Sequence, residues 1–356
     1  MKLFTVGPVQ PYPEIAQTYR QDIPYFRTST YGDLVLRNLA RVASYLHLGK
    51  DGRVLYFAAS GTGAMEATID NCLTRQDKAL VINGGTFGHR FCELLEHYSI
   101  PHTPIRLAWN EALTAEHLLP HEDKGYTVML VNLHETSTGQ LYDINMLADF
   151  CRRNNMLLIV DAISTFLADE YDMTAHGIDV TIFSSQKALC LSPGAAFIAL
   201  SERMLQRLNP TPRSSYFSFQ SYLSNLTRGQ TPFTPTVNIM YEMDAMLRKI
   251  EHEGGLQHWL HQIQHKCHYF RRRIAEAGFT INPHYPLSHM MTPIFTGKAR
   301  AYEVFTYLAE KHGIYVNPCG GELADHMLRI SHVGNTTEDD IDTLIQCLCE
   351  AVQTLS

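Results

Sequence analysis

Apolar residues recur along the chain at two different periods. Over residues 31–49 they fall at helical spacing and stop at Gly49, which predicts a helix. A short apolar run at 54–58 reads as a strand. It is followed by Ser60-Gly61-Thr62-Gly63 and a helical run over 64–73. From there strands and helices alternate. Strands are predicted at 78–83, 126–134 and 156–164, and helices at 88–98 and 144–155. Two more strands follow at 179–189 and 195–201. Alternation of this kind implies an α/β fold, with a mostly parallel sheet covered on both faces. Near residue 245 the pattern changes. Helices over 239–278 lead into short strands and a closing helix at 337–354. The expected organisation is an arm at 1–15, a large domain at 16–245 and a smaller α+β domain at 246–356. The arm is expected to be extended, because Pro8, Pro11 and Pro13 interrupt any helix there.

Composition narrows the class. In 356 residues, 45% are hydrophobic and 18% charged, enough apolar material for a sizeable core. The formal net charge of -7 argues against broad nucleic-acid binding. No apolar run approaches the roughly 18 residues of a membrane span. The opening MKLFTVGPVQPYPEI lacks the pattern of a secretory signal. The eight cysteines are scattered, with no CxxC pair, and free thiols of this kind point to the reducing cytoplasm.

In α/β sheets ligands bind beyond the carboxyl ends of the strands, and four places there carry chemistry. Ser60-Gly61-Thr62-Gly63 lies between a strand and a helix, where free N–H groups and the helix dipole accept an anion such as phosphate. Asp161 ends the apolar strand MLLIVD; a buried carboxylate needs a partner, and a cationic ring nitrogen is one. Lys187 follows an apolar strand and precedes another apolar stretch. Desolvation there frees its amine as a nucleophile for a carbonyl cofactor. Arg329 sits in the strand MLRIS and is suited to gripping a carboxylate. Each has an ordinary structural explanation when taken singly. Taken together they match the needs of pyridoxal 5′-phosphate.

The motifs around these residues resemble those of the class V aminotransferases, enzymes of the pyridoxal-phosphate-dependent fold type I. The resemblance runs through Phe4-Thr5-Val6-Gly7-Pro8-Val9, SGTGAMEA (60–67), GTFGHR (85–90), HETSTGQLYDI (134–144), IVDAISTF (159–166), GIDVTIFSSQKAL (177–189), PFTPTV (232–237) and LRISHVGNTTEDDI (328–341). It implies a large three-layer αβα domain and a small C-terminal domain. It further implies that Lys187 is the Schiff-base lysine and proton carrier, and that Asp161 pairs with the pyridine nitrogen. Ser60, Gly61 and Thr62 would hold the phosphate, with Gln186 near it. Phe87 would stack on the ring and Thr136 would contact the ring oxygen. Thr234 would reach the phosphate of the neighbouring subunit, making the enzyme a homodimer with active sites at the subunit interface. Arg329 would bind the substrate carboxylate. The implied reaction is a ping-pong transamination between a small amino donor (alanine, serine or 2-aminoethylphosphonate type) and a small 2-keto acid, pyruvate or glyoxylate. Gln186 matches the serine/alanine branch of the family, whereas HETSTG, DAISTF and RSSYFSFQSYL (213–223) resemble the phosphonate branch.

Rival readings keep the cofactor. One is a lyase or cysteine desulfurase with Cys319 as the reactive thiol, and another is a protein that binds the cofactor without turnover. His258, His261, His265 and His268 share one face of a predicted helix; a solvated face is the expectation and a metal site the alternative. Arg27, in Tyr25-Phe26-Arg27, is a candidate for the far end of the substrate.

Overall fold

The computed structural model describes residues 1–19, 22–281 and 284–356. In chain order the strands are β1 (Lys2–Leu3), β2 (Arg53–Ala58), β3 (Ala79–Asn83), β4 (His102–Arg106), β5 (Val128–Asn132), β6 (His134–Glu135), β7 (Gln140–Leu141), β8 (Leu157–Asp161), β9 (Val180–Ser184), β10 (Ala195–Leu200), β11 (Met291–Phe295), β12 (Ile314–Tyr315), β13 (Asn317–Pro318) and β14 (Met327–Ser331). Seven of them form the central sheet in the order β2-β10-β9-β8-β5-β3-β4. All its neighbouring pairs are parallel except those made by β10. A three-stranded antiparallel sheet, β11-β14-β13, belongs to the C-terminal third.

Alternate residues of each central strand enter different cores, as the two-residue period requires. Tyr56, Ile82, Val131, Val160 and Phe183 join one core. Phe57, Val81, Leu130, Ile159 and Ile182 join the other. The first core is covered by α2 (Ser29–Tyr45) and the helix Val237–His252, the second by α3 (Gly61–Cys72), α4 (Thr86–Tyr98) and the helix Phe219–Leu226. A third core unites Phe270, Ile274, Ile330, Leu344 and Leu348.

The structure departs from the periodicity at several points. Residue 245 lies inside the continuous helix Val237–His252, whose Met246, Leu247 and Ile250 still pack in the first core. The apolar helical stretch then breaks at Gly254, whose φ of +102° favours glycine, before the helix Gly255–Glu276. The arm is neither wholly extended nor detached. β1 pairs with β12, Phe4 enters the third core, and Pro13 opens α1 (Pro13–Thr18), since proline is tolerated at a first helical position. β4 was not foreseen: His102–Arg106 shows no alternation and carries Pro104, and it sits at the sheet edge where a missing N–H does no harm. The strand expected over 179–189 stops at Ser184. The chain reverses through a turn over 185–189, closed by Leu191 N–H to Ser185 O at 3.0 Å, and returns as β10. Lys187 therefore stands in a turn.

Candidate active site

The carboxyl ends of β2, β5, β8 and β9 surround a cavity of about 230 Å³. Its wall joins Ser60, Gly61 and Thr62 from the β2–α3 turn, Phe87 from α4, Thr136 after β6, Asp161 at the end of β8, and Gln186 and Lys187 after β9. Eight of the residues singled out in the sequence thus converge from segments well apart in the chain. Met65, His134, Ile163 and Ser164 complete the wall.

Ser60 caps α3, its Oγ accepting from Gly63 N at 3.3 Å. The first helical N–H groups have no intrahelical acceptor, so Gly61 and Thr62 present an anion site. Gly61 packs closely: a Cβ there would lie 2.5 Å from Ile163 Cδ1 and would push that side chain aside.

Asp161 is 5% exposed, and its Oδ1 accepts from Ile163 N at 2.8 Å. Burial pushes its carboxyl up to about 7 in spite of that bond, and the negative Glu135 adds to the rise while Lys187 opposes it. Burial likewise pushes the Lys187 amine down to about 8, with the positive Arg329 acting in the same direction. The stem of Lys187 lies against the arm, since a Cβ on Gly7 would come within 2.7 Å of its Cδ and 3.0 Å of its Nζ. That contact gives the Gly-Pro opening a physical reason.

Arg329 does not line the cavity. It reaches across from β14 and donates from Nη1 to Thr136 O at 2.8 Å, and from Nη2 and Nε to Pro318 O at 2.7 and 3.2 Å. Two of its five N–H groups are left for a ligand. Thr234 also lies outside the wall, exposed beside Phe233, whose ring stacks on Tyr216 at 4.9 Å. Arg27 is bonded to Gln230 Oε1 at 3.1 Å and Thr231 O at 2.8 Å, not to the cavity. The histidine stripe does not converge. His258 meets Gln262, His265 meets Glu338, and His268 packs on His289. Among the described residues no cluster of three or more His, Cys, Asp or Glu is placed to hold a metal.

Sequence reasoning missed two side chains here. His134 is 2% exposed, its Nδ1 faces Ser164 O at 3.3 Å, and its Nε2 has no hydrogen-bond partner among the described residues. Burial pushes its ring down to about 4, so it is neutral. Glu135 lies behind the wall, fully buried. Both stand in the HETSTG motif, directly before Thr136.

These features fit pyridoxal phosphate. The α3 terminus suits a phosphate, Asp161 has a carboxylate oxygen to spare for a ring N–H, and Phe87 and Ile163 supply apolar wall for a flat ring. Lys187 has the desolvated amine that an aldehyde requires.

Comparison with known proteins agrees. Alanine–glyoxylate aminotransferase of Oryctolagus cuniculus is 26% identical over 90% of this chain and 84% of its own length. The 2-aminoethylphosphonate–pyruvate transaminase of Bacillus cytotoxicus is 25% identical over 98% of this chain and 97% of its own. The crystal structure of a subgroup IV aspartate aminotransferase from Thermus thermophilus superposes with a TM-score of 0.91, covering 100% of both chains at 24% identity. That likeness bears on the fold, which is the fold type I of these enzymes. The family model of class-V aminotransferases matches residues 38–344. With that match spanning the sheet, the cavity and the strand of Arg329, the chain belongs to the class V aminotransferases.

Proposed function

We propose that this chain catalyses ping-pong transamination between a small amino donor (alanine, serine or 2-aminoethylphosphonate type) and a small 2-keto acid, pyruvate or glyoxylate, with pyridoxal phosphate in the cavity described. The observation that carries this reading is the meeting of Lys187 and Asp161 in one cavity, with Arg329 fastened to the turn of Thr136 beside it.

When bound, pyridoxal phosphate supplies an aldehyde and a ring that accepts the electrons released at the substrate Cα. The chain does the rest. Gly61 and Thr62 hold the phosphate through backbone N–H groups, with Gln186 nearby. Asp161 keeps a proton on the ring nitrogen. A cation at that place offsets the desolvation that raises the carboxyl. Phe87 and Ile163 limit ring tilt and exclude water. Thr136 offers a hydroxyl to the ring oxygen. The remaining N–H groups of Arg329 take the substrate carboxylate. Lys187 Nζ, half neutral near pH 8, would take the proton from the substrate Cα and deliver it to the carbon of the cofactor's aldehyde group, and would carry a proton the opposite way when the keto acid is aminated.

Thr234 and the exposed aromatic pair Tyr216–Phe233 support a homodimer in which Thr234 reaches the partner's phosphate site. Eight cysteines without disulfides among the described residues suit a reducing cytoplasm. No helix among the described residues is long and apolar enough to cross a membrane. The desulfurase alternative finds little support. Cys319 is 6% exposed and packs with Leu323 and Met327, and burial pushes its thiol up to about 11, far from a reactive thiolate.

The test is a screen of alanine, serine and 2-aminoethylphosphonate against pyruvate and glyoxylate, with the products identified. At least one pair should turn over in the native protein and not in Lys187→Ala. Normal activity in Lys187→Ala overturns the proposal.

A further inference from the structure

Glu135 is completely buried between the end of β5 and the start of α4. Its carboxylate accepts five hydrogen bonds. Oε2 takes Phe87 N and Gly88 N, each at 3.1 Å, and Asn132 Nδ2 at 2.8 Å. Oε1 takes Ser137 N at 3.1 Å and Ser137 Oγ at 2.5 Å. Ser137 Oγ in turn accepts Thr86 N at 3.0 Å. The first turn of a helix has unpaired N–H groups and a partial positive charge. In α4 the chain's own carboxylate fills that place, so no ligand anion is needed there.

Two wall residues flank these bonds. Phe87 leaves the backbone at one of the bonded N–H groups, and Thr136 lies between Glu135 and Ser137. The glycines of GTFGHR make the approach possible. A Cβ on Gly85 would lie 2.4 Å from Ser137 Oγ and 2.6 Å from Glu135 Cδ, and one on Gly88 would lie 2.5 Å from Ile82 O. Thr136 O also receives Arg329 Nη1, so the same turn carries the substrate arginine. Among the described residues no Lys, Arg or His forms an ion pair with Glu135; its acceptor oxygens are filled by backbone N–H, amide and hydroxyl donors.

We infer that Glu135 is a positioning residue for the reaction: one buried carboxylate sets Phe87, Thr136 and, through Thr136, Arg329 in their working places. The inference rests on the functional reading above. Glu135→Gln keeps the shape but turns one acceptor oxygen into a donor facing donors. Ser137→Ala removes only the Oε1 hydroxyl and its link to Thr86, as a milder variant should the first fail to fold. Asp179→Asn alters another buried carboxylate, at the opposite end of the sheet, and serves as the matched control for lost stability.

For each variant, melting temperature, pyridoxal phosphate affinity, visible circular dichroism of the bound cofactor, and kcat and KM separately are measured. Glu135→Gln should weaken cofactor binding by roughly tenfold, change the dichroism and lower kcat, with Ser137→Ala following in the same direction. Asp179→Asn should lower the melting temperature alone. A Glu135→Gln or Ser137→Ala protein that melts earlier yet binds the cofactor with native affinity and dichroism overturns the inference. Failure of the native protein to bind pyridoxal phosphate overturns the functional reading, and this inference with it.

Discussion

Both ends of the central sheet bury carboxylates, and the protein treats those at the amino end and the one facing the cavity in opposite ways. At the amino end Asp77 accepts from Arg207 Nη2, Thr127 Oγ1 and Thr74 N, each at 2.8 Å. Burial alone would raise its carboxyl, but those bonds hold it below the usual carboxylate range. Asp179 at the same end accepts from Leu158 N at 2.9 Å, Ser201 Oγ at 3.1 Å and Arg203 Nη2 at 2.6 Å. At the carboxyl end Asp161 has one backbone bond and a carboxyl pushed up to about 7, with Lys187 pushed down to about 8 beside it. The amino end is closed on itself and stabilises the sheet. The carboxyl end holds two groups whose charged forms are disfavoured until something else enters, which is how a site for a charged ring differs from a structural ion pair.

The contrast can be broken by substitution. Lys187→Ala should lower turnover by roughly 10³-fold or more and remove the visible absorption of bound cofactor, with little loss of melting temperature. Asp161→Asn should lower kcat by about 10²-fold while stabilising the cofactor-free protein above pH 7 by roughly 1–3 kcal/mol. Arg329→Lys should lower kcat/KM for the keto acid by roughly tenfold to a hundredfold, chiefly through KM, because an ammonium cannot reproduce the planar fork. Asp179→Asn should do the reverse of Asp161→Asn, costing about 1–3 kcal/mol of stability and leaving turnover per folded molecule unchanged. Equal behaviour of the two aspartate variants would dissolve the distinction between the ends.

A pH series of melting temperatures on cofactor-free protein sharpens it. Asp161 is raised from 3.8 to about 7. Its contribution to stability is therefore complete below the unfolded value and lost as pH rises through about 7. Lys187 is lowered from 10.5 to about 8. Its contribution is complete above the unfolded value and lost as pH falls through about 8. Asp161→Asn should abolish the decline between about pH 4 and 7, and Lys187→Ala the loss as pH falls from about 10.5 to about 8. Curves unchanged from native in both variants would contradict the electrostatic description.

Much of the architecture was readable in the chain itself. The two-residue and helical periods located the central strands and their covering helices, because each strand is apolar on both faces and each helix on one. Asp161, Lys187 and the 60–63 turn were also readable, since each adjoins an apolar strand where its polarity is out of place. What periodicity missed has two causes. Edge strand β4 lacks an apolar pattern because it is half solvated, and Lys187 sits in a reversal that looks apolar like a strand.

Tertiary contact alone decided the rest. That Gly7 leaves space for the stem of Lys187, that Glu135 fills the start of α4, and that Arg329 spends three N–H groups on carbonyls as far as 193 residues away could not be inferred from spacing. Local sequence specifies which segments bury which faces. The protonation of a buried group and the direction of a side chain depend on neighbours that only the closed fold brings near.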